Sequence, residues 1–306
     1  MKVLIATEKP FAPAAVEDIK KILGEAGHEV TLLEGYKDKS DLLAAVKDVN
    51  AMIVRSDKIT KDVLDAAPEL KIVVRAGAGY DSIDTAYAKE KGIVVENTPG
   101  QNSNAVAELV FGLLVYAKRK FFSGKAGSEL KGKKIGILAF GNVGRNVARI
   151  AKGFDMDVYA YDAFIPAEKI EALGVHAAKS QEDLFKKCDI VSLHIPATPE
   201  TKQSINKALV SKMEKGAILI NTARKEIINE PELIKLMEER PDLTYITDIK
   251  PDADEEFKTK FEGRYFATPK KMGAQTAEAN INAGIAAAHQ IAAFFATGDT
   301  KFQVNK

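Results

Sequence analysis

The pattern of apolar and polar positions in the N-terminal part of the chain is typical of repeated βαβ units. Short runs rich in Val and Ile lie at residues 3–6, 30–33, 51–54, 71–75 and 93–95. Between the first two runs, Val16, Ile19 and Leu23 share one helical face, with Pro13 near the predicted start and Gly27 at the predicted end. Because the runs are apolar on both faces, they predict strands of a parallel sheet covered by helices.

A second series of apolar runs predicts a second sheet of the same kind. These runs occupy residues 134–140, 158–161, 190–193, 217–220, 244–248 and 265–267. A turn cluster at 97–100 separates the two series and precedes a predicted helix over 103–118. An alanine-rich helix is predicted over 277–297, long enough at ~1.5 Å per residue to return from the second domain to the first. We therefore predict an α/β protein with two doubly wound parallel-sheet domains, residues 1–98 plus 283–306 and residues 99–282.

Composition and charge narrow the classes of function. A chain of 306 residues favours two domains. The net charge of +1, with lysines and carboxylates interspersed, argues against nucleic acid or a membrane surface as a partner. No stretch approaches the ~20 apolar residues of a membrane span, and the N-terminal apolar run is too short for a signal peptide, so we expect a cytoplasmic protein. The single cysteine, Cys188, is expected to pack as a small hydrophobe, and no metal site is predicted.

The turn after the predicted strand at 134–140 matches the dinucleotide-binding fingerprint with one departure. Gly141 and Gly144 stand at the positions of the second and third glycines, but Ala139 replaces the first. Eighteen residues past Gly144, the next strand ends in Asp162, where a carboxylate can accept a hydrogen bond from a ribose 2′-OH and repel a 2′-phosphate. The pattern predicts NAD rather than NADP. The alternatives are an ordinary strand-to-helix turn and an aspartate that only caps a strand.

Five further stretches carry a resemblance to a known family. They are VVRAGAGYDSID (73–84), NTPGQNSNAVAELVFGLL (97–114), ELKGKKIGILAFGNVGR (129–145), VSLHIPATPETKQSIN (191–206) and INTARKEIINEPELI (220–234). Through them the chain resembles the D-2-hydroxyacid dehydrogenases, and within that family the branch that oxidises 3-phosphoglycerate. The resemblance implies a flavodoxin-like substrate-binding domain, a Rossmann domain that binds NAD, a cleft between them and a homodimer built around the NAD domain. We expect no C-terminal regulatory domain of the kind that some relatives carry.

The resemblance also implies roles for individual residues. A glycine-rich loop would offer backbone N–H groups to the substrate carboxylate, an Arg–Ser pair with Lys58 nearby would contact a phosphate, and Arg224 would hold the carboxylate and polarise the C2 oxygen. The implied substrate-binding residues are Arg55, Ser56, Arg75, Ala76, Gly77, Ala78, Gly79 and Asn102. The implied NAD-binding residues are Gly141, Asn142, Val143, Gly144, Asp162, His194, Ile195, Pro196, Thr222, Ala223 and Asp248, the last near the nicotinamide amide.

The chain departs from the family at its acid–base pair. The family has a histidine after Thr-Pro, paired with a glutamate five residues beyond the aspartate that corresponds to Asp248. Here the position five beyond Asp248 is Ala253, and the lysines Lys270 and Lys271 take the place of the histidine. Counting forward from Thr-Pro assigns Lys270, whereas counting back from Gly273 assigns Lys271. None of the four histidines can substitute by local alignment.

Two explanations of this departure stay open. Either activity is lost, leaving an NAD-binding protein like the C-terminal-binding corepressors, or a lysine is the acid–base group. An ordinary lysine has a pKa of about 10.4, so a lysine that accepts a proton near neutral pH needs desolvation to lower its pKa by roughly three. A neighbouring glutamate would oppose that change, so the two losses are consistent with each other. Arg224, Lys225 and the second lysine of the pair are expected to add positive charge, which would also lower the pKa of the acid–base lysine.

The favoured hypothesis is NAD-dependent oxidation of 3-phospho-D-glycerate to 3-phosphohydroxypyruvate, the first step of L-serine biosynthesis. In it, Arg224 orients the substrate, and Lys271 or Lys270 takes the hydroxyl proton. The alternatives are a hydroxypyruvate or glyoxylate reductase and a non-catalytic NAD(H)-sensing protein.

Overall fold

A computed structural model describes residues 1–306 and divides them into two compact units. Unit 1 contains Met1–Asn102 and Thr276–Lys306, and unit 2 contains Ser103–Gln275. The division in the structure therefore falls after residue 102 and before residue 276, whereas the sequence predicted it after residue 98 and before residue 283. The second boundary moves because the first turn of the closing helix already binds unit 1, where the guanidinium of Arg55 donates to Asn280 Oδ1 over 2.6 Å.

The chain contains twelve strands. They are β1 (Lys2–Thr7), β2 (Glu29–Glu34), β3 (Ala51–Val54), β4 (Ile72–Arg75), β5 (Val94–Asn97), β6 (Lys134–Leu138), β7 (Asp157–Tyr161), β8 (His176–Ala177), β9 (Ile190–Leu193), β10 (Ile218–Asn221), β11 (Thr244–Thr247) and β12 (Tyr265–Ala267). Every predicted strand is confirmed, and the two-residue β8 was not predicted because so short a segment carries no periodicity.

The helices alternate with the strands. They are α1 (Pro13–Glu25), α2 (Lys39–Ala45), α3 (Lys61–Asp65), α4 (Thr85–Glu90), α5 (Ser103–Lys118), α6 (Asn142–Gly153), α7 (Ala167–Glu171), α8 (Gln181–Lys187), α9 (Lys207–Val210), α10 (Glu230–Glu239), α11 (Asp254–Lys260) and α12 (Ala277–Thr297), with 3-10 turns at Lys120–Phe122 and Lys225–Ile227. The predicted helices at 103–118 and 277–297 are confirmed. None of the helices is long and apolar enough to cross a lipid bilayer.

The sheet of unit 1 has five parallel strands in the order β2-β1-β3-β4-β5. Alternate residues of β1 enter two separate cores: Val3 and Ile5 pack with α1 and α12, whereas Leu4 packs on the opposite face. This is the flavodoxin-like order, which switches direction between β1 and β3. Ligands of open α/β sheets bind outside the carboxyl ends of the strands at such a switch point. In unit 1, Arg55 and Ser56 follow β3 at this point.

The sheet of unit 2 has seven parallel strands in the order β12-β11-β10-β9-β6-β7-β8. This is the Rossmann order with one additional edge strand, and its switch point lies between β6 and β9. The predicted cofactor residues all follow strands at the carboxyl edge of this sheet. Cys188 is fully buried, and burial raises the pKa of its thiol to about 12, so the prediction that it packs as a hydrophobe is confirmed.

Candidate functional site

The turn between β6 and α6 has the conformation of a phosphate-binding loop. Ala139, at the first glycine position, has a φ of +75°, which is the left-handed region that glycine normally occupies. A Cβ on Gly144 would lie 2.3 Å from the carbonyl oxygen of Ala139, so only glycine fits there. Around Gly141 a Cβ would meet nothing within 4 Å, and no side chain caps the start of α6. The first amides of α6 are therefore open to an anion, which the helix dipole favours.

Asp162 is held beside this turn by three backbone amides. Its Oδ2 accepts from Phe140 N over 2.7 Å, and its Oδ1 accepts from Phe164 N and Ile165 N over 2.8 and 3.1 Å. A carboxylate has about four acceptor positions, so one stays open to a ribose hydroxyl. Asp162 thus caps the end of β7, as the alternative interpretation expected, and still fits the role of a ribose ligand.

The turn after β9 contains His194, Ile195 and Pro196. The ring Nε2 of His194 lies 2.9 Å from Ser192 Oγ, and burial lowers the pKa of His194 to about 3. The imidazole is therefore neutral at physiological pH. Ile195 packs against the apolar core of unit 2, and Pro196 is exposed. Sequence reasoning missed Ser192, although its alternation with His194 in SLHIP places both side chains on one side of the strand.

The turn after β10 carries Thr222, Ala223 and Arg224. Asn221 fixes the backbone of this turn through two hydrogen bonds: its Oδ1 accepts from Ala223 N over 2.9 Å, and its Nδ2 donates to Arg224 O over 2.8 Å. The sequence analysis did not identify Asn221. Thr222 is buried, and its Oγ1 has no hydrogen-bond partner in the protein. A buried hydroxyl without a partner is costly, which fits a position that a bound cofactor satisfies. Arg224 is half-buried and donates from Nη1 to Ala223 O over 2.9 Å.

Lys225 is paired with a carboxylate. It forms an ion pair with Asp252, and this hydrogen bond raises the pKa of Lys225. The carboxylate of Asp252 offsets part of the positive charge of Lys225, and the expected effect of Lys225 on the acid–base lysine stays a prediction.

Asp248 follows β11 and is fully buried. Its carboxylate accepts from the amides of Met272 and Gly273 over 2.8 Å each, and Thr268 Oγ1 lies 2.8 Å from its Oδ1. Asp248 therefore binds the turn that carries the two lysines. The expected contact with the nicotinamide amide stays a prediction, with one acceptor position left for it.

Lys270 and Lys271 lie in this turn after β12, and both side chains are exposed. The position of the missing glutamate, Ala253, precedes α11, and its amide donates to Glu230 Oε2 over 2.9 Å. Glu230 also accepts from the amide of Asp252 over 3.1 Å. The carboxylate of Glu230 is thus bound to the backbone before α11, and Ala253 itself offers only a methyl group.

In unit 1, the loop after β4 combines a guanidinium with open amides. Gly77 has a φ of +143°, and a Cβ there would lie 1.7 Å from Nη1 of Arg75, so the guanidinium lies directly against the loop. The amide of Ala76 donates to Val54 O and that of Gly77 to Thr98 Oγ1. Only the amides of Ala78 and Gly79 have no acceptor, so the expected row of four anion-binding amides is reduced to two.

Most N–H groups of the Arg55 guanidinium form hydrogen bonds within unit 1. Its Nη1 donates to the carbonyls of Lys9 and Pro10 over 2.8 Å each, and its Nη2 donates to Asn280. Three of its five N–H groups are thus bound to protein, and its guanidinium also lies over the ring of Phe11. Ser56 and Lys58 are exposed, and Asn102 is half-buried. The phosphate contact of Arg55 stays a prediction, with two N–H groups available for it.

The loops of unit 2 have the geometry of a dinucleotide-binding domain, and comparisons with known proteins agree. A family model described as "D-isomer specific 2-hydroxyacid dehydrogenase, NAD binding domain" matches residues 115–261. D-3-phosphoglycerate dehydrogenase of Methanocaldococcus jannaschii is 37% identical over 90% of this chain and 55% of its own length. Hydroxypyruvate reductase of Thermotoga maritima is 37% identical over 84% of this chain and 88% of its own length.

Among solved structures, NAD⁺-bound 3-phosphoglycerate dehydrogenase of Entamoeba histolytica superposes with a TM-score of 0.89 and is 50% identical. That match covers 100% of this chain and 99% of the other. The chain therefore belongs to the D-isomer specific 2-hydroxyacid dehydrogenase family, and unit 2 carries its NAD-binding domain. It spans about half the length of several curated relatives that it matches, including the 55% of the M. jannaschii protein.

Proposed function

We propose that this protein catalyses the NAD-dependent oxidation of 3-phospho-D-glycerate to 3-phosphohydroxypyruvate, the first step of L-serine synthesis. The observation that carries the proposal is the loop after β4, where the guanidinium of Arg75 lies against Gly77 beside the open amides of Ala78 and Gly79. A cation and two oriented N–H groups suit the carboxylate of a 2-hydroxy acid. The relatives named as 3-phosphoglycerate dehydrogenases support the particular substrate.

The reaction removes a hydride and a proton from one alcohol carbon. NAD⁺, when bound, accepts the hydride from C2. The neutral amine of a lysine accepts the hydroxyl proton as the C2–O bond becomes a carbonyl, and in the reverse direction the ammonium returns that proton. Arg224 holds the carboxylate and the C2 oxygen, where its fixed positive charge stabilises the negative charge that develops on the oxygen.

The cofactor fits the residues present in unit 2. The open start of α6 would hold the pyrophosphate, Asp162 the ribose hydroxyl, and the unpartnered Thr222 hydroxyl a further polar group. Both lysines are exposed, so we propose that bound substrate and cofactor supply the desolvation that favours the neutral amine.

A second candidate is a hydroxypyruvate or glyoxylate reductase. Two observations favour it: the Thermotoga maritima relative with that name, and the engagement of Arg55 with Lys9, Pro10 and Asn280, which leaves only two N–H groups for a phosphate. In this candidate the carboxylate loop and Arg224 keep their roles, and no phosphate contact is needed.

A substrate series separates the candidates. We expect kcat/KM with NADH to be highest for phosphohydroxypyruvate, compared with hydroxypyruvate, glyoxylate and pyruvate, and higher with NADH than with NADPH. The double variant Ser56→Ala, Lys58→Ala should lose about 10- to 100-fold in kcat/KM for phosphohydroxypyruvate alone, because it removes contacts to a charged group worth roughly 1.5–3 kcal/mol. Lys71→Ala, an exposed lysine at the amino end of β4, serves as the matched control.

Each alternative function predicts a different result in this substrate series. A preference for hydroxypyruvate or glyoxylate that the double variant leaves unchanged would establish the reductase. Tight NADH binding without turnover of any 2-keto acid would establish the NAD(H)-sensing protein. A homodimer is also part of the proposal, and light scattering should give a mass of two chains.

A further inference from the structure

The carboxyl end of β5 supports the turn after β4. The two strands are paired in parallel, and their last residues, Arg75 and Asn97, lie opposite each other. Three hydrogen bonds join this end of β5 to the turn. Gly77 N donates to Thr98 Oγ1 over 2.6 Å, Thr98 N donates to Gly77 O over 3.0 Å, and Asn97 Nδ2 donates to Ala78 O over 2.6 Å.

The first two peptide groups of the turn after β4 are held by their amides. The amide of Ala76 donates to Val54 O over 2.8 Å, which continues the pairing of β4 with β3. The amide of Gly77 donates to the hydroxyl oxygen of Thr98, a residue that is 0% exposed. Both N–H groups are therefore bound to protein and are not available to a ligand.

The next two peptide groups are held by their carbonyls instead. The carbonyl of Gly77 accepts from Thr98 N, and that of Ala78 accepts from Asn97 Nδ2. A trans peptide group directs its N–H and its C=O to opposite sides. Because both carbonyls point toward the end of β5, the amides of Ala78 and Gly79 point away from it, and neither has an acceptor in the protein.

Gly77 is the residue at which the turn changes from one arrangement to the other. Its N–H and its C=O are both bound by Thr98, the first through the hydroxyl and the second through the amide. Its φ of +143° lies in a region that residues with a Cβ rarely adopt. Thr98 thus holds the conformation that turns the two following amides outward.

The closing helix α12 holds Asn97 in turn. Gln290 Nε2 donates to Asn97 O over 3.0 Å, so the backbone from which the Asn97 side chain leaves is bound to α12. The asparagine side chain is short, and ordering it against the carbonyl of Ala78 therefore costs little conformational entropy. The contact between Asn97 and Ala78 is consequently part of the packed structure of unit 1 before any substrate binds.

Resting on the proposed function, we propose that Asn97 and Thr98 are positioning residues, which aim the amides of Ala78 and Gly79 at the substrate carboxylate. Two neighbouring amides form a concavity for an anion only while both peptide groups keep their orientation. Fixing both carbonyls before the substrate arrives lowers the entropy that binding costs. In this role neither side chain contacts the substrate, so its loss lowers affinity for the carboxylate and leaves NADH binding intact.

The test measures carboxylate binding by the full chain with NADH bound. The probe is oxamate, whose carboxylate stands beside an amide carbonyl that NADH does not reduce, and calorimetric titration gives its Kd. Thr98→Val keeps the shape of the side chain but leaves the amide of Gly77 without an acceptor, and Asn97→Ala releases the carbonyl of Ala78. Each variant should weaken oxamate binding by about 10-fold, because a misdirected amide loses a hydrogen bond to a charged group. The Kd for NADH should stay unchanged.

Two further variants control for a general loss of structure. Thr98→Ser keeps the hydroxyl and should bind oxamate within about twofold of the wild-type protein. Asn305 is a second asparagine of unit 1, 7% exposed, that binds the backbone at the amino end of β5: its Oδ1 accepts from Val95 N over 3.0 Å, and its Nδ2 donates to Ile93 O over 2.9 Å. Asn305→Ala should lower the free energy of unfolding, as Asn97→Ala does, but keep the oxamate Kd within about twofold.

The outcomes separate this inference from the proposed function. Oxamate binding that Thr98→Val and Asn97→Ala leave unchanged, or that Asn305→Ala weakens equally, would overturn the positioning role. A wild-type protein that binds oxamate and follows the expected order among the variants, yet oxidises no 3-phospho-D-glycerate, would contradict the proposed function alone. Absence of oxamate binding in the wild-type protein would overturn both. If Asn97→Ala fails to fold, the comparison of Thr98→Val with Thr98→Ser decides, since only the valine lacks the hydroxyl.

Discussion

Two turns at the carboxyl ends of strands use their backbones in opposite ways. In the turn after β4, the amides of Ala78 and Gly79 have no acceptor, and the guanidinium of Arg75 lies against Gly77. In the turn after β12, the amides of Met272 and Gly273 are both bound to Asp248, and the lysine side chains are exposed. The backbone of the turn after β4 is available to bind a ligand, whereas the backbone of the turn after β12 is fixed and carries the lysine side chains. Both turns contain glycines and cations, so composition alone does not distinguish the two uses.

Filling the turn after β4 should lower activity more than a change at the turn after β6. Gly77→Ala places a Cβ where Nη1 of Arg75 lies, 1.7 Å away, at a φ of +143° that alanine avoids. We expect kcat/KM for the hydroxy acid to fall by about 100-fold, since one hydrogen bond to a charged group is worth up to roughly 3 kcal/mol. Steady-state kinetics with varied hydroxy acid would measure this, and NAD⁺ affinity should stay unchanged.

The control for that change is Gly27→Ala. Gly27 has a φ of +77°, but a Cβ there would meet nothing within 4 Å. It should cost about 1 kcal/mol of stability in denaturant unfolding and leave kcat/KM intact. If Gly77→Ala behaves in the same way, the turn after β4 is an ordinary structural turn and the comparison fails.

A smaller effect is expected at a third turn, the one after β6. Ala139 has a φ of +75° and carries strain of about 1–2 kcal/mol that a glycine would not. Ala139→Gly should raise the free energy of unfolding by about 0.5–1 kcal/mol, after the greater freedom of glycine in the unfolded chain is subtracted. Calorimetric titration should show NADH binding at least as tight as before.

Gln203→Gly is the matched variant for this turn, because Gln203 has a φ of +54° and belongs to none of the predicted site residues. It should gain similar stability with no change in NADH affinity. Destabilisation by Ala139→Gly would show that the methyl group of Ala139 packs usefully and that the left-handed conformation costs little.

The sequence was sufficient to predict both parallel sheets and the places where the site residues stand in them. Buried parallel strands are continuous apolar runs, so 134–140 and 190–193 were visible as strands, and residues such as Asp162 and Arg224 then had to follow strand ends. The dinucleotide-binding fingerprint has a glycine at the position of Ala139. A left-handed backbone conformation was therefore predictable there even though alanine replaces the glycine.

The partners of individual side chains could not be predicted in this way. Arg55 is bound to Asn280, 225 residues away, and periodicity contains no information on such a contact. The same holds for Asp248, whose partners lie 24 and 25 residues further along the chain. Resemblance assigned Asp248 to the cofactor by position, which stays a prediction, but it gave no sign that the carboxylate also binds the turn with the two lysines.

The most direct test of the lysine mechanism is the turnover of the double variant Lys270→Ala, Lys271→Ala in the oxidation of 3-phospho-D-glycerate with saturating NAD⁺. Because both exposed lysines are removed while the buried contacts of Asp248 involve only backbone and Thr268, the fold and NADH binding should persist. The lysine mechanism predicts a fall in kcat of at least about 10³-fold with the KM for NAD⁺ retained. Unchanged turnover in this variant would contradict it.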